Sequence, residues 1–407
     1  MGKQTLADRD LVVIVVHMNH DPIVFTFFMI FAGAALVATL ALFARQALLI
    51  AYILIGALLG PWGLGLIADA EMIKEIAHIG IIFLLFLIGL NLQPQDLLNM
   101  MRKTTVVTMV SSLVFSVVGF AVAFGFGFGL AESLLIGIAT SFSSTIIGLK
   151  LLPTTILHHQ RTGEVIISIL LFQDLIAIVL LMILQGSGGS EDIPLLDMLK
   201  LILVLPGFIG VAWLFQKFIL LPLLAKFDRI QEYIFLMAIA WCLAAAELAQ
   251  LVGLSGEIGA FIAGITLASS PISLFIAESL KPLRDFFLII FFFSLGAGFN
   301  LNMIGDILLP GLVLAFAMML IKPPVFRILL QRTGEKLKRS YEVGYRLGQM
   351  SEFSLLIAVL ALDVGVLSQQ GSYLIQFSTV LTFLFSTYLV VMRFQSPIAI
   401  SDRLRRD

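Results

Sequence analysis

About thirteen apolar runs, each near the length needed to cross a bilayer, dominate this sequence. Runs that long leave few folding options. In hydrocarbon every backbone N–H and C=O must bond within the chain, so each run becomes a helix or part of a closed barrel. The runs are continuous instead of alternating, which argues against a barrel. They lie at about 23–44, 47–66, 72–92, 103–127, 131–152, 163–186, 195–222, 230–251, 255–270, 283–300, 306–330, 340–364 and 372–395. The second holds Gly56, Gly60 and Pro61, which favour a break. Only 13% of the 407 residues are charged and 60% are apolar, whereas about a quarter are charged in an ordinary soluble protein. That balance excludes a water-soluble enzyme and a disordered chain. The expected fold class is an all-α polytopic membrane protein, with residues 1–407 forming one integral membrane domain.

The loops alternate in charge. Those after odd-numbered runs carry Arg45, Arg102 and Lys103, Arg161, Lys226 and Arg229, Lys281 and Arg284, and the series Arg332, Lys336, Lys338, Arg339. Loops after even-numbered runs carry mainly acids, among them Asp69, Glu71, Glu132, Asp306 and Asp363, with Lys74 and Lys200 as exceptions. The excess of Lys and Arg on cytoplasmic loops then puts the N-terminus outside and the C-terminus inside. Arg332 to Arg346 reads as a basic run serving orientation and anionic lipid. The leading residues end their short apolar patch at His17 with no small-residue cleavage site, so they read as an uncleaved lead-in. Net charge is −1 and gives no hint of nucleic acid; the single cysteine, Cys242, reads as a small core residue.

Ionisable groups inside the runs are the functional candidates, because a charge there costs a few kcal/mol. Asp174 lies in the middle of the sixth run, within Leu171-Phe172-Gln173-Asp174. It has no basic residue three or four positions away on its own helix. A partly desolvated carboxylate can bind a bare cation or a proton, and the two exclude each other, which is the minimal chemistry of an exchanger. Lys322, followed by Pro323 and Pro324, is the expected cationic partner, in a backbone that two prolines weaken. Glu247 reads as a tie between helices. His158 and His159 read as solvated loop residues, and Lys150 sits near the end of the fifth run.

Ser141-Phe142-Ser143-Ser144-Thr145 is a hydroxyl cluster halfway along the fifth run, and Gly348-Gln349-Met350-Ser351-Glu352 is its counterpart in the twelfth. Hydroxyls and glycines permit local unwinding around a cavity. An odd offset between the two runs sets them in opposite orientations. The first six helices then form an inverted copy of the last six, with the seventh as connector. Inverted repeats with paired broken helices mark a secondary transporter with its site at the midplane. Glu352 would offset positive half-helix ends there and Lys322 negative ones.

Gly60-Pro61-Trp62-Gly63-Leu64, Ile88-Gly89-Leu90-Asn91-Leu92, Phe142-Ser143-Ser144-Thr145, Leu171-Phe172-Gln173-Asp174, Gly259-Ala260-Phe261-Ile262-Ala263-Gly264, Leu267-Ala268-Ser269-Ser270 and Gly348-Gln349-Met350-Ser351-Glu352-Phe353 resemble the cation:proton antiporter-2 family, most closely the Kef-type potassium efflux antiporters. The resemblance implies a sodium/proton antiporter-like fold. Helices 4–6 and 11–13 would form a core that moves, elevator-like, against a dimerisation scaffold of helices 1–3 and 8–10. It implies a homodimer, with Asp174 as the family's ion-binding aspartate, Gln173 its neighbour and Lys322 the core lysine. One carboxylate per cycle suggests one cation for one proton. Lys150 stands where the Kef-type pattern has a glutamine. The Kef-type C-terminal nucleotide-binding domain has no counterpart before Asp407, which leaves room for a separate regulatory subunit.

The expected function is exchange of K⁺, or second Na⁺, for H⁺ across a bacterial inner membrane, with Asp174 alternately holding cation and proton. Gln173, Lys322, Ser143, Ser144 and Thr145 are the expected site residues, supported by Lys150, Gln349, Ser351 and Glu352. No cofactor, enzymatic activity or nucleic-acid partner is expected. A passive cation channel and an organic-anion transporter of the same inverted-repeat plan are the alternatives.

Overall fold

A computed structural model describes residues 22–67, 70–91, 94–152, 161–186, 195–268 and 270–396. The lead-in, His158, His159, Ser269, the acids at 191 and 192, and the basic C-terminus lie outside the described residues.

Each expected run falls on a helix or on a helix interrupted midway. In chain order they are α1 (Pro22–Phe43), α2 (Leu48–Leu59), α3 (Ala70–Asn91), α4 (Pro94–Gly125), α5 (Leu130–Ser141), α6 (Thr145–Lys150), α7 (Arg161–Gly186), α8 (Leu195–Phe215) and α9 (Leu221–Lys226). A π-turn at Gln216–Leu220 joins the last two. Then come α10 (Gln231–Leu251), α11 (Gly256–Ala268), α12 (Ile272–Gly298), α13 (Ile304–Arg332), α14 (Leu337–Arg346), α15 (Glu352–Asp363) and α16 (Gln369–Arg393). Among the described residues, eight helices are long and apolar enough to cross a membrane, and Leu48–Leu59, Leu130–Ser141 and Gly256–Ala268 are shorter apolar ones. The protein is an all-helical membrane protein.

The departures from expectation have local causes. The second run stops at Leu59 because Gly60, Pro61 and Gly63 form a turn. α12 begins at Ile272 instead of 283, its early charged turns Glu278 to Asp285 having masked a helix that extends past the apolar stretch. α13 runs unbroken through Pro310, Pro323 and Pro324. The backbone of Gly344 packs against the Pro323 carbonyl, and neighbouring helices stabilise a proline-bearing segment in this way. Glu247 is exposed on α10 and not buried between helices. Cys242 is fully buried among the apolar residues of α10.

The helices pack in two groups. α3 packs on α11 and α12, and α2 on α1 and α12; α4 packs on α5, α7 and α13, and α13 on α14 and α16. Glycine sets the closest crossings. A Cβ on Gly264 of α11 would meet the Phe86 carbonyl of α3, and one on Gly89 of α3 would meet the Phe261 carbonyl of α11. Small residues let membrane helices approach this closely where no hydrophobic force separates helix from lipid. The glycines of the Ile88–Leu92 and Gly259–Gly264 stretches are therefore packing devices.

A cavity of about 250 Å³ lies between the groups, lined by Lys74, His78 and Phe291 on one side and Leu360, Asp363 and Tyr373 on the other. Lys74 Nζ pairs with Asp363 Oδ1 at 2.9 Å across it. This explains Lys74, one of the two basic exceptions in the acidic loop series: its charge is matched by an acid on α15.

Candidate functional site

Hydroxyl side chains compete with the backbone for hydrogen bonds, so a run such as Ser141-Phe142-Ser143-Ser144-Thr145 favours caps over a continuous helix. α5 stops at Ser141 and α6 starts at Thr145. Ser144 caps the new start, its Oγ accepting from the Ile147 amide at 3.1 Å. In the twelfth run Ser351 does the same for α15, accepting from the Phe353 amide at 3.1 Å. Short polar side chains satisfy the first orphan amides of a helix in this way.

The two gaps face each other. Ser143 Oγ donates to the Leu347 carbonyl at 2.9 Å, and Gln349 Nε2 reaches the Ser144 carbonyl at 3.4 Å. Ser354 Oγ donates to the Ala139 carbonyl at 2.6 Å. An interruption leaves backbone groups without helical partners, and at this depth each must be satisfied by protein. Gln173 closes the first gap from both sides. Its Oε1 accepts from the Ser143 amide at 3.0 Å and its Nε2 donates to the Ser141 carbonyl at 3.4 Å. Its position next to Asp174 thus has a structural cause.

Asp174 follows on the same turn of α7 and is 4% exposed. Thr145, the first residue of α6, donates its hydroxyl to Asp174 Oδ2 at 3.0 Å and lies 3.2 Å from Oδ1. Glu352, the first residue of α15, is 6% exposed. A carboxylate and a hydroxyl therefore meet where α6 begins, and a second buried acid begins α15.

Lys322 is fully buried, but it does not pair with Asp174 as expected. Its Nζ donates to the Phe142 carbonyl at 2.6 Å and to the Gln349 carbonyl at 3.1 Å, and it sits over the Phe115 ring. Both carbonyls lie just past helix C-termini, where the dipole favours a cation. The ammonium thus ties one gap to the other. Among the described residues no ion pair joins Lys322 to Asp174.

Several supporting residues carried no signal in the sequence. Thr382 Oγ1 accepts from the Met350 amide at 3.0 Å, and Ser386 Oγ donates to Gln349 Oε1 at 2.9 Å. Both sit in α16. Arg346, expected at the lipid surface, is 1% exposed; its guanidinium meets carbonyls in the interior. Lys150 ends α6, but its side chain lies outside the described residues.

Comparison with known proteins follows the same lines. The profile of the family "Sodium/hydrogen exchanger, transmembrane" matches residues 29–393. K(+) efflux antiporter 5 of Arabidopsis thaliana is 27% identical over 369 residues, 88% of this chain and 64% of that protein. K(+) efflux antiporter 6 of Arabidopsis thaliana is 26% identical, over 85% of this chain and 59% of that protein. The chain therefore spans less than two thirds of the length of either plant relative. Iron transporter MagA of Paramagnetospirillum magneticum is 28% identical, over 87% of this chain and 82% of its own length. Among solved structures, the sodium proton antiporter MjNhaP1 from Methanocaldococcus jannaschii aligns with a TM-score of 0.66 at 18% identity, over 90% of this chain and 96% of that one. At that identity the likeness is one of fold. The K(+) efflux relatives agree with the Kef-type resemblance in the motifs, and the chain belongs to the sodium/hydrogen exchanger transmembrane family.

Proposed function

We propose that this chain exchanges a monovalent cation for a proton across the membrane, potassium preferred and sodium second, with Asp174 as the shared seat. The observation that carries this reading is the place of Asp174, buried at the meeting of two interrupted helices and held by Thr145. A carboxylate there binds either a proton or a cation, so loading one releases the other. The donors around it are carboxylate and hydroxyl oxygens, a set that suits a hard alkali cation better than a transition metal. The preference for potassium rests on the plant relatives' printed names.

Alternating access requires the seat to open to each side in turn. The two packing groups suggest the parts: α4–α7 with α13–α16 as a moving core, and α1–α3 with α10–α12 as a dimerising scaffold, in an elevator-like cycle. Loop charges support an outer N-terminus and inner C-terminus, in a cytoplasmic inner membrane. Gln173, Ser143, Ser144, Gln349, Ser351 and Lys322 hold the two gaps in register, and Glu352 supplies a second acid at the seat.

The decisive experiment measures proton movement in reconstituted vesicles under potassium, sodium and lithium gradients, with Asp174→Asn as control. The proposal requires cation-driven proton flux that vanishes in the variant. Flux that persists in Asp174→Asn refutes the seat, and current without proton coupling refutes exchange.

A further inference from the structure

Arg346 ends α14, five residues before the Ser351 cap. Its guanidinium uses three directions at once. Nη1 donates to the Leu151 carbonyl at 2.9 Å, Nη2 to the Gln395 carbonyl at 2.8 Å, and Nε to Glu342 Oε1 at 3.0 Å. The Phe394 ring stacks on it, 5.5 Å from the guanidinium carbon. Leu151 lies just past the end of α6 and Gln395 just past the end of α16. One buried cation therefore serves two helix C-termini, with Glu342 balancing its charge. Only a planar fork of five fixed donors can do this; an ammonium would reach fewer acceptors with poorer geometry.

α6 is where this matters. It has six residues, too few to hold itself as a helix without outside contacts. Its start carries Thr145 and its end is followed by the Leu151 carbonyl, about 9 Å away along a helix of 1.5 Å rise per residue. Anchoring one end of so short a rod sets the other.

We infer that Arg346 is a positioning residue for the ion seat: by anchoring the far end of α6 it holds the Thr145 hydroxyl against Asp174. The inference rests on the reading of Asp174 as the seat. It assigns Arg346 a part in cation affinity that its place in a basic run does not suggest.

The test uses the full chain with Arg346→Gln and Arg346→Lys, each alone and with Thr145→Val, read two ways. The first is hydrogen exchange of the peptide covering 145–152 in the purified protein. The second is the cation concentration giving half-maximal proton exchange in vesicles. Arg346→Gln should speed exchange in that peptide while α4 and α13 stay protected. It should raise the half-maximal concentration about tenfold, the scale of losing one hydrogen bond to a charged group, and Arg346→Lys should recover part of this. Thr145→Val should add little on top, since residues acting through one contact are not additive.

Unchanged protection of 145–152 would overturn the anchor. A lower yield of folded protein with unchanged half-maximal concentration would reduce Arg346 to a fold-stabilising role, and fully additive losses would remove the route through Thr145. If Arg346→Gln yields no folded protein, Arg346→Lys carries the same comparison. If the wild type moves no protons under any cation gradient, the exchanger reading falls, and hydrogen exchange still decides whether Arg346 anchors α6.

Discussion

Thr145 turns its hydroxyl onto the carboxylate of Asp174, 3.0 Å from one oxygen and 3.2 Å from the other. The two residues are 29 positions apart and meet because the fifth run breaks just before Thr145. A hydrogen bond to a charged group contributes about 1.5–3 kcal/mol. Thr145→Val should therefore raise the half-saturating cation concentration by roughly tenfold or more, and Thr145→Ser should restore it. Equal affinities for Val and Thr would show that the hydroxyl plays no part in the seat.

Lys322 is a tie between two helix ends. Lys322→Ala leaves the Phe142 and Gln349 carbonyls buried without their donor, at about 1–3 kcal/mol each. The purified variant should unfold at a clearly lower temperature in detergent, and Lys322→Gln, which keeps a donor, should lose less. Its transport should show an altered pH profile more than an abolished one. An unchanged melting temperature would mean that other groups satisfy those carbonyls.

Lys74 and Asp363 bridge the two helix groups at 2.9 Å. If one group slides past the other, that bridge must open in each cycle. Lys74→Cys with Asp363→Cys, joined by a short bifunctional thiol reagent, should arrest exchange, and reduction of a cleavable linker should restore it. Cys242 is buried and stays out of the reaction. Full exchange in the cross-linked protein would contradict the sliding of these groups.

Gly264 lets α11 cross α3 at backbone distance. Gly264→Val pushes a side chain into the Phe86 carbonyl, an overpacking cost of about 1–3 kcal/mol or more. Size-exclusion chromatography should show less monodisperse protein, whereas Gly298→Ala, which has open space, should behave as wild type.

Glu335 joins Arg161 at the start of α7 to Arg339 in α14. Burial pushes its carboxyl up, but the hydrogen bonds and charges of Arg339 and Arg161 outweigh that and hold it below its ordinary value of 4.5. A depressed carboxyl stabilises the folded state fully above the ordinary value, and that contribution is lost as pH falls from 4.5 through the lower folded one. Glu335→Gln should remove this acid-side loss from a thermal stability series. An identical pH dependence in the variant would sink the pairing as a stabilising contact.

Much of the fold was legible because the bilayer imposes it. Long apolar runs must become helices, and among the described residues every run contains helix, the second of them only as far as Leu59. Ser141 to Thr145 and Gly348 to Glu352 announced the gaps because hydroxyls and glycines favour caps over continuous turns. Asp174 stood out because a carboxylate at that depth needs a reason. Pairings were harder. Lys322 read as the partner of Asp174 on charge alone, yet two carbonyls claim it. Arg346 read as a surface charge among other basic residues, yet it is among the most buried side chains of the chain. Thr382 and Ser386 carried no signal, since a hydroxyl in α16 looks the same whether it meets its own helix or a neighbouring gap.

What the sequence determined by itself was one-dimensional: where helices run, where two of them cannot continue, and which acid sits in the middle of an apolar run. These follow from local composition against a solvent that accepts no free backbone group. What only the tertiary structure decided was which carbonyl each buried cation serves and which hydroxyl faces Asp174. Those contacts join residues from 27 to more than 190 positions apart, and such distances are set by how helices cross, which no local pattern encodes.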